Sequence, residues 1–214
     1  MWLRANQPAF SPFCLAGLLL FLVSIALAGC GDGSPKLPKL GAGDVVLAFG
    51  DSLTYGTGAS ESESYPAVLA GLIGRTVIRE GVPGQTTAQG MERLPSALER
   101  HRPKLVLLCL GGNDMLRKVD DATIAANLRE MIRRIQESGA AVVLLGVPKP
   151  ALFGGAASYY EALAREFKLV YEGDVIVDVL KKPAMKSDPI HPNAQGYKAV
   201  AEAVAALLKK SGAL

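Results

Sequence analysis

Val45-Val46-Leu47-Ala48-Phe49-Gly50-Asp51-Ser52-Leu53-Thr54 decides how this chain is read. The apolar run 45–49 has the pattern of a strand buried on both faces. Gly-Asp-Ser then ends the strand and lifts the Ser52 hydroxyl to the carboxyl end of a sheet. In open parallel α/β sheets that edge is where ligands bind. A serine there becomes a nucleophile only if a base takes its proton. The chain has two histidines, and one stands in Asp188-Pro189-Ile190-His191-Pro192. Nucleophile, carboxylate and base are thus all present, in the order Ser, Asp, His.

Outward from residue 45, short apolar runs alternate with helical patterns. Strands are expected at 45–49, 76–79, 105–110 and 142–147, with a weaker fifth around 168–171. Helices are expected at 65–73, 89–100, 121–138, 157–167 and 194–210. Asp121 opens the third of these and Gly139 closes it, as helix ends require. This β-α-β-α alternation argues for α/β architecture, a parallel sheet with helices on both faces. Val175-Ile176-Val177-Asp178-Val179-Leu180 is ambiguous. Its β-branched residues suit a strand, whereas Asp174 suits the cap of a short helix.

The chain has 214 residues, half of them apolar, and a net charge of +3. That is enough for one domain with an N-terminal extra. The charge is too small to argue for a nucleic-acid partner. The densest basic cluster, Arg100-His101-Arg102-Pro103-Lys104, reads as a solvated helix end, where cations oppose the dipole.

The first residues read as an export signal of 1–29. Arg4 is followed by an uncharged, mostly apolar run at 13–28 and then by small residues. Leu27-Ala28-Gly29-Cys30 resembles the bacterial lipoprotein processing box. That resemblance implies cleavage before Cys30 and lipidation of its thiol. Several acyl chains on one residue hold a protein stably at a membrane. Residues 30–43, rich in Gly, Pro, Ser and Lys, are expected to be a flexible linker to a catalytic domain at 44–214. The expected location is outside the cytoplasm, membrane-anchored through Cys30 and facing the periplasm or the cell exterior. Cys14 would leave with the signal, and Cys109 reads as a small core residue, so no internal disulfide is expected.

Asp188 and His191 are three positions apart, which places both side chains on one side of a turn. The carboxylate can then hold the Nδ1 proton and leave Nε2 as base. Oxyanion donors are also needed. Gly111-Gly112-Asn113-Asp114 follows the third strand and brings the Asn113 amide to the edge that carries Ser52. Gly81-Val82-Pro83-Gly84 follows the second, and Gly84 lets the backbone N–H approach closely. No metal or other cofactor is expected. Two histidines and no paired cysteines offer no ligand spacing.

These four blocks, Gly50-Asp51-Ser52-Leu53, Gly84, Gly111-Gly112-Asn113-Asp114 and Asp188-x-x-His191, resemble the SGNH (GDSL-type) hydrolases over residues 44–208. The wording is most similar to the bacterial acyl-CoA thioesterase, lysophospholipase and arylesterase branch. The resemblance implies a three-layer α/β/α flavodoxin-like sandwich with strand order 2-1-3-4-5, and a helix at the ambiguous segment. It implies Ser52 as nucleophile, His191 and Asp188 completing a triad, and an oxyanion hole of the Ser52 and Gly84 N–H groups plus Asn113. Asp51 and Asp114 take supporting positions.

The implied activity is hydrolysis of aryl or short-to-medium-chain acyl esters, extending to acyl thioesters and lysophospholipids. The implied partners are a small acyl ester or thioester and, through Cys30, a membrane. Two residues depart from the branch. Arg79 stands where it has Asn, and Gln85 where it has Asp. The loop 146–155, with apolar residues between hinges, is expected to line an acyl groove.

Other readings explain less. A phosphate-binding loop lacks the Gly-Lys-Ser/Thr ending and leaves Asp188 and His191 unused. A catalytically silent binding protein would lack a triad member. A carbohydrate O-acetylesterase of the same fold is the alternative, and it would need a polar sugar site.

Overall fold

The computed structural model describes residues 1–2, 35–149 and 155–214. The elements below all lie within Pro35–Leu214, which is one compact unit. Its centre is a five-stranded parallel sheet in the order β2-β1-β3-β4-β5. The strands are β1 (Val45–Gly50), β2 (Thr76–Gly81), β3 (Leu105–Cys109), β4 (Ala141–Leu145) and β5 (Val170–Glu172). The most apolar runs take the middle. β1 pairs with β2 through Val46↔Val77 and with β3 through Val46↔Leu105. Val46–Phe49 and all of β3 are buried on both faces, which is why they read as unbroken apolar runs. The edge strand β2 carries Arg79 and Glu80 and is only half-buried.

Eight α-helices stand among the described residues: α1 (Ser52–Tyr55), α2 (Tyr65–Ile73), α3 (Thr87–His101), α4 (Gly112–Leu116), α5 (Asp121–Glu137), α6 (Ser158–Glu166), α7 (Val175–Lys181) and α8 (Ala194–Lys210). Right-handed crossovers send α2 to one face, since β2 lies on one side of β1. They send α3, α5 and α6 to the other, since the chain then crosses back and moves steadily outward. α8 returns to pack on α2 and α7. α5 shows the apolar spacing such a layer needs: Ile124, Leu128, Met131, Ile132 and Ile135 are buried.

Three expectations change in detail. Helix α3 starts two residues early, because Thr86 and Gln89 form a reciprocal capping box. The segment 175–180 is helical, but its cap comes from elsewhere. The Glu172 carboxylate accepts the N–H groups of Asp174 and Val175 at 3.0 and 2.9 Å. The third change concerns the expected linker 30–43, which is not loose at its C-terminal end. Leu37 and Leu40 N–H groups donate to the Ser211 and Ala213 carbonyls, and Leu40 is buried against the core. An apolar side chain with a place in the core docks even from a Gly/Pro-rich segment. Residues 3–34 lie outside the described residues, and with them the expected signal and Cys30.

Candidate active site

The Gly-Asp-Ser turn is wedged between the ends of β2 and β3. A Cβ on Gly50 would collide with the Cys109 carbonyl oxygen, and one on Gly81 with the Tyr55 nitrogen. Only hydrogen side chains permit this approach. Asp51 caps α1, its Oδ1 accepting the Leu53 N–H at 3.0 Å. Ser52 therefore begins a helix and points out over the carboxyl edge of the sheet.

His191 arrives on the loop before α8. Its Nε2 lies 2.9 Å from Ser52 Oγ, and its Nδ1 2.7 Å from Asp188 Oδ2. The other Asp188 oxygen accepts the Ile190 and His191 N–H groups at 2.8 and 2.9 Å. One carboxylate thus shapes the turn and orients the ring. Burial works to raise the Asp188 carboxyl. The hydrogen bond from His191 and those backbone N–H groups outweigh it and hold the carboxyl below its ordinary range. Asn193 locks the loop from behind, donating to the Ala184 carbonyl at 2.9 Å and capping α8 through Gly196 N–H.

Gly111, at φ +118°, turns the chain from β3 into α4, so that Asn113 stands beside the serine turn. Its Nδ2 donates to the Gln85 carbonyl at 3.0 Å and to Asp51 Oδ2 at 3.2 Å. Asn113, whose amide is expected as an oxyanion donor, is thus already shared between two acceptors. Gly84 has φ +76° in the turn after β2. It lines a second, smaller hollow with Val82, Pro83 and Arg117. Asp114 is turned away from the serine and accepts the Thr87 hydroxyl and N–H at 2.6 and 2.8 Å, tying α4 to α3. Desolvation pushes the buried Asp51 carboxyl up to about 7, partly offset by the Leu53 N–H and His191.

A cavity of about 560 Å³ opens in front of Ser52 and His191. Leu53, Leu116, Val147, Val177, Leu180 and Ile190 give it apolar walls, and Lys149, Lys181 and Lys186 also line it. From the loop expected to form an acyl groove, Val147, Pro148 and Lys149 line the cavity. Its residues 150–154 lie outside the described residues. Sequence reasoning misses the contribution of α7. Its apolar run poses only a helix-or-strand question, although Val177 and Leu180, three apart on a helix, share one face.

Both departures are accommodated locally. Arg79 pairs with Glu61 at 2.9 Å and lies over the Tyr55 ring at 4.6 Å, bracing the end of α1. Gln85 is almost buried and its side-chain oxygen is held by Arg93.

The profile of the GDSL-like Lipase/Acylhydrolase family matches residues 48–199, which run from β1 into α8. The chain belongs to this family. An arylesterase of Vibrio mimicus is 33% identical over 203 residues, covering 90% of this chain and 99% of the relative. Thioesterase 1/protease 1/lysophospholipase L1 of Escherichia coli K12 is 32% identical over 179 residues, covering 80% and 86%. A crystal structure of TesA superposes with a TM-score of 0.71 at 30% identity, covering 78% of this chain and 99% of that one. The family and its relatives place the protein among ester hydrolases with the α/β fold seen here.

Proposed function

We propose that the protein is a serine esterase acting on aryl or short-to-medium-chain acyl esters, and also on acyl thioesters, through an acyl-Ser52 intermediate. The observation that carries this reading is the hydrogen-bonded series Ser52 Oγ, His191 Nε2, His191 Nδ1, Asp188 Oδ2, with steps of 2.9 and 2.7 Å. Ser52 Oγ attacks the acyl carbon while His191 Nε2 takes its proton. Asp188 keeps the ring in the tautomer that can do so and stabilises the imidazolium. The negative oxygen of the tetrahedral intermediate is received by the Ser52 and Gly84 N–H groups and by Asn113. For Asn113 the oxyanion replaces Asp51 as acceptor of one amide hydrogen. His191 protonates the leaving oxygen or sulfur, then deprotonates the water that releases the acid.

The apolar walls suit an acyl chain better than a sugar, which disfavours the O-acetylesterase alternative. The lysines at the cavity suit a leaving group that carries negative charge, as in an acyl-CoA or a lysophospholipid. We further propose that residues 1–29 direct export, and that Cys30 carries the lipid that holds the protein at a membrane facing the periplasm or exterior. The Leu-Ala-Gly-Cys box supports this, and loss of radiolabelled palmitate from Cys30→Ala would test it.

Hydrolysis of p-nitrophenyl esters from acetyl to palmitoyl, beside Ser52→Ala, tests the esterase reading. Turnover abolished in the variant supports it, and acetyl-only turnover together with activity on acetylated sugars would favour the alternative.

A further inference from the structure

We infer that Arg93 is a positioning residue for the oxyanion donors, acting through the side chain of Gln85. The inference rests on the serine-esterase reading. Arg93 stands on α3, outside the cavity lining, and faces the carboxyl ends of β1 and β2. Its Nη1 donates to Glu80 Oε2 at 2.7 Å. Its Nη2 donates to the carbonyls of Glu80 at 3.1 Å and Gly50 at 3.4 Å. Nη2 and Nε both reach Gln85 Oε1, at 2.7 and 3.3 Å. The guanidinium carbon lies 4.0 Å from the centre of the Phe49 ring. A planar group with several donors and a stacked face is held rigidly by such a site. One side chain thus joins the last residues of β1, the end of β2 and the turn after it.

Gln85 is where that rigidity reaches the chemistry. It follows Gly84, whose N–H is the oxyanion donor proposed above, so fixing its side chain fixes the turn at φ +76°. Its carbonyl oxygen accepts the Asn113 amide at 3.0 Å, orienting the side-chain donor. Two of the three donors therefore depend on a residue whose only charged anchor among the described residues is Arg93. The charge of Arg93 is answered by Glu80, which also meets His101 Nε2 at 2.8 Å. Arg93 therefore touches no reacting atom and acts by geometry. A donor displaced by about 1 Å costs about 10²-fold in rate, and a lost donor about 10²–10³-fold.

The test uses the full chain with Arg93→Met, Arg93→Lys, Gln85→Met, the Arg93→Met/Gln85→Met double variant and Arg100→Gln. Arg100 reaches Glu80 from the solvent side at 3.6 Å. The readouts are kcat and KM on p-nitrophenyl butyrate, the rate of Ser52 phosphorylation by diethyl p-nitrophenyl phosphate, and Tm. Arg93→Met and Gln85→Met should lower kcat and the phosphorylation rate by about tenfold to a hundredfold, with KM within about twofold. Arg93→Lys should fall between, and Arg100→Gln should match the wild type. The double variant should be no worse than the poorer single one, because both act on one element.

Folded Arg93→Met with kcat within twofold of wild type would overturn the inference. So would losses that multiply in the double variant, or a fall in kcat with an unchanged phosphorylation rate. Should Arg93→Met fail to fold, Gln85→Met decides alone, on the same twofold criterion. Absence of wild-type turnover would remove this inference together with the esterase reading. Wild-type turnover abolished by Ser52→Ala, with unaffected Gln85→Met, would remove this inference alone.

Discussion

His191 Nε2 stands 2.9 Å from Ser52 Oγ across 139 residues of chain. The two meet because β1 lies inside the sheet, between β2 and β3, and the loop before α8 returns over its carboxyl end. That loop is held from two sides, by the Asp188 carboxylate within it and by the segment after α1 beneath it.

Asp188 performs two tasks, so its substitutions should separate by severity. Asp188→Ala removes the acceptor for the His191 ring and the two N–H contacts of the turn. It should lower kcat by about 10²–10⁴-fold, with KM changing far less. Steady-state kinetics on p-nitrophenyl butyrate measures this, and a loss under tenfold would show that His191 is oriented by other means.

Gly58 is the contact from beneath. It has φ +99°, and a Cβ there would collide with Ser187 Oγ and lie 2.6 Å from the Pro192 carbonyl oxygen. Pro192 adjoins His191, so Gly58→Ala should push the histidine loop off Ser52 and lower kcat by about 10²-fold. Full activity in a folded Gly58→Ala would mean that this loop adjusts without cost.

Lys181 and Lys186 line the cavity, and among the described residues neither has an ion-pair partner. Lys181→Gln/Lys186→Gln should raise KM for butyryl-CoA by a few-fold to about tenfold at low salt. The p-nitrophenyl butyrate KM should stay unchanged, and about 0.5 M salt should erase the difference, since exposed charges are screened. Equal KM changes on both substrates would argue that these lysines pack rather than select.

Asp51 gives stability a pH dependence. Its carboxyl is pushed from 3.8 up to about 7, so the folded protein holds a proton that the unfolded chain has released. Stability therefore falls as pH rises between about 4 and 7. The loss reaches about 4 kcal/mol, because a tenfold change in proton affinity corresponds to about 1.4 kcal/mol. Asp188 works oppositely. Its lowered carboxyl contributes stability above pH 3.8 that is lost only in stronger acid. Thermal melts of wild type and Asp51→Asn from pH 5 to 9 should show the wild-type curve falling more steeply up to neutrality. Parallel curves would contradict the assignment.

Leu40 tests the revised start of the domain. It is 2% exposed, and Leu40→Ala should cost about 2–4 kcal/mol. A loss below about 0.5 kcal/mol in urea titration would return 35–43 to the status of a tether.

The middle of the sheet is legible in the sequence because burial on both faces leaves its mark on all of β3 and on all but the first residue of β1 and β4. The fifth strand is blurred. It is three residues long and partly exposed, so its pattern carries little. Ser52, Asp188, His191 and Asn113 are legible because each stands at a strand end or in a short turn, within a local pattern the sequence shows directly. Arg93 and Gln85 do not read together, since their contact joins a helix side to a turn and leaves no periodic trace. The docking of Leu37 and Leu40 is hidden for the same reason. Local composition reports flexibility, while a partner at the far end of the chain decides it.

The most direct measurement is burst and steady-state release of p-nitrophenol from p-nitrophenyl butyrate by the full chain, with mass spectrometry of the quenched enzyme, beside Ser52→Ala and His191→Ala. A serine esterase built on Ser52 should show turnover and a butyryl adduct on that residue in the wild type, and at least about a 10³-fold loss of kcat in each variant. Turnover that survives in folded Ser52→Ala, or an adduct on another residue, would contradict it.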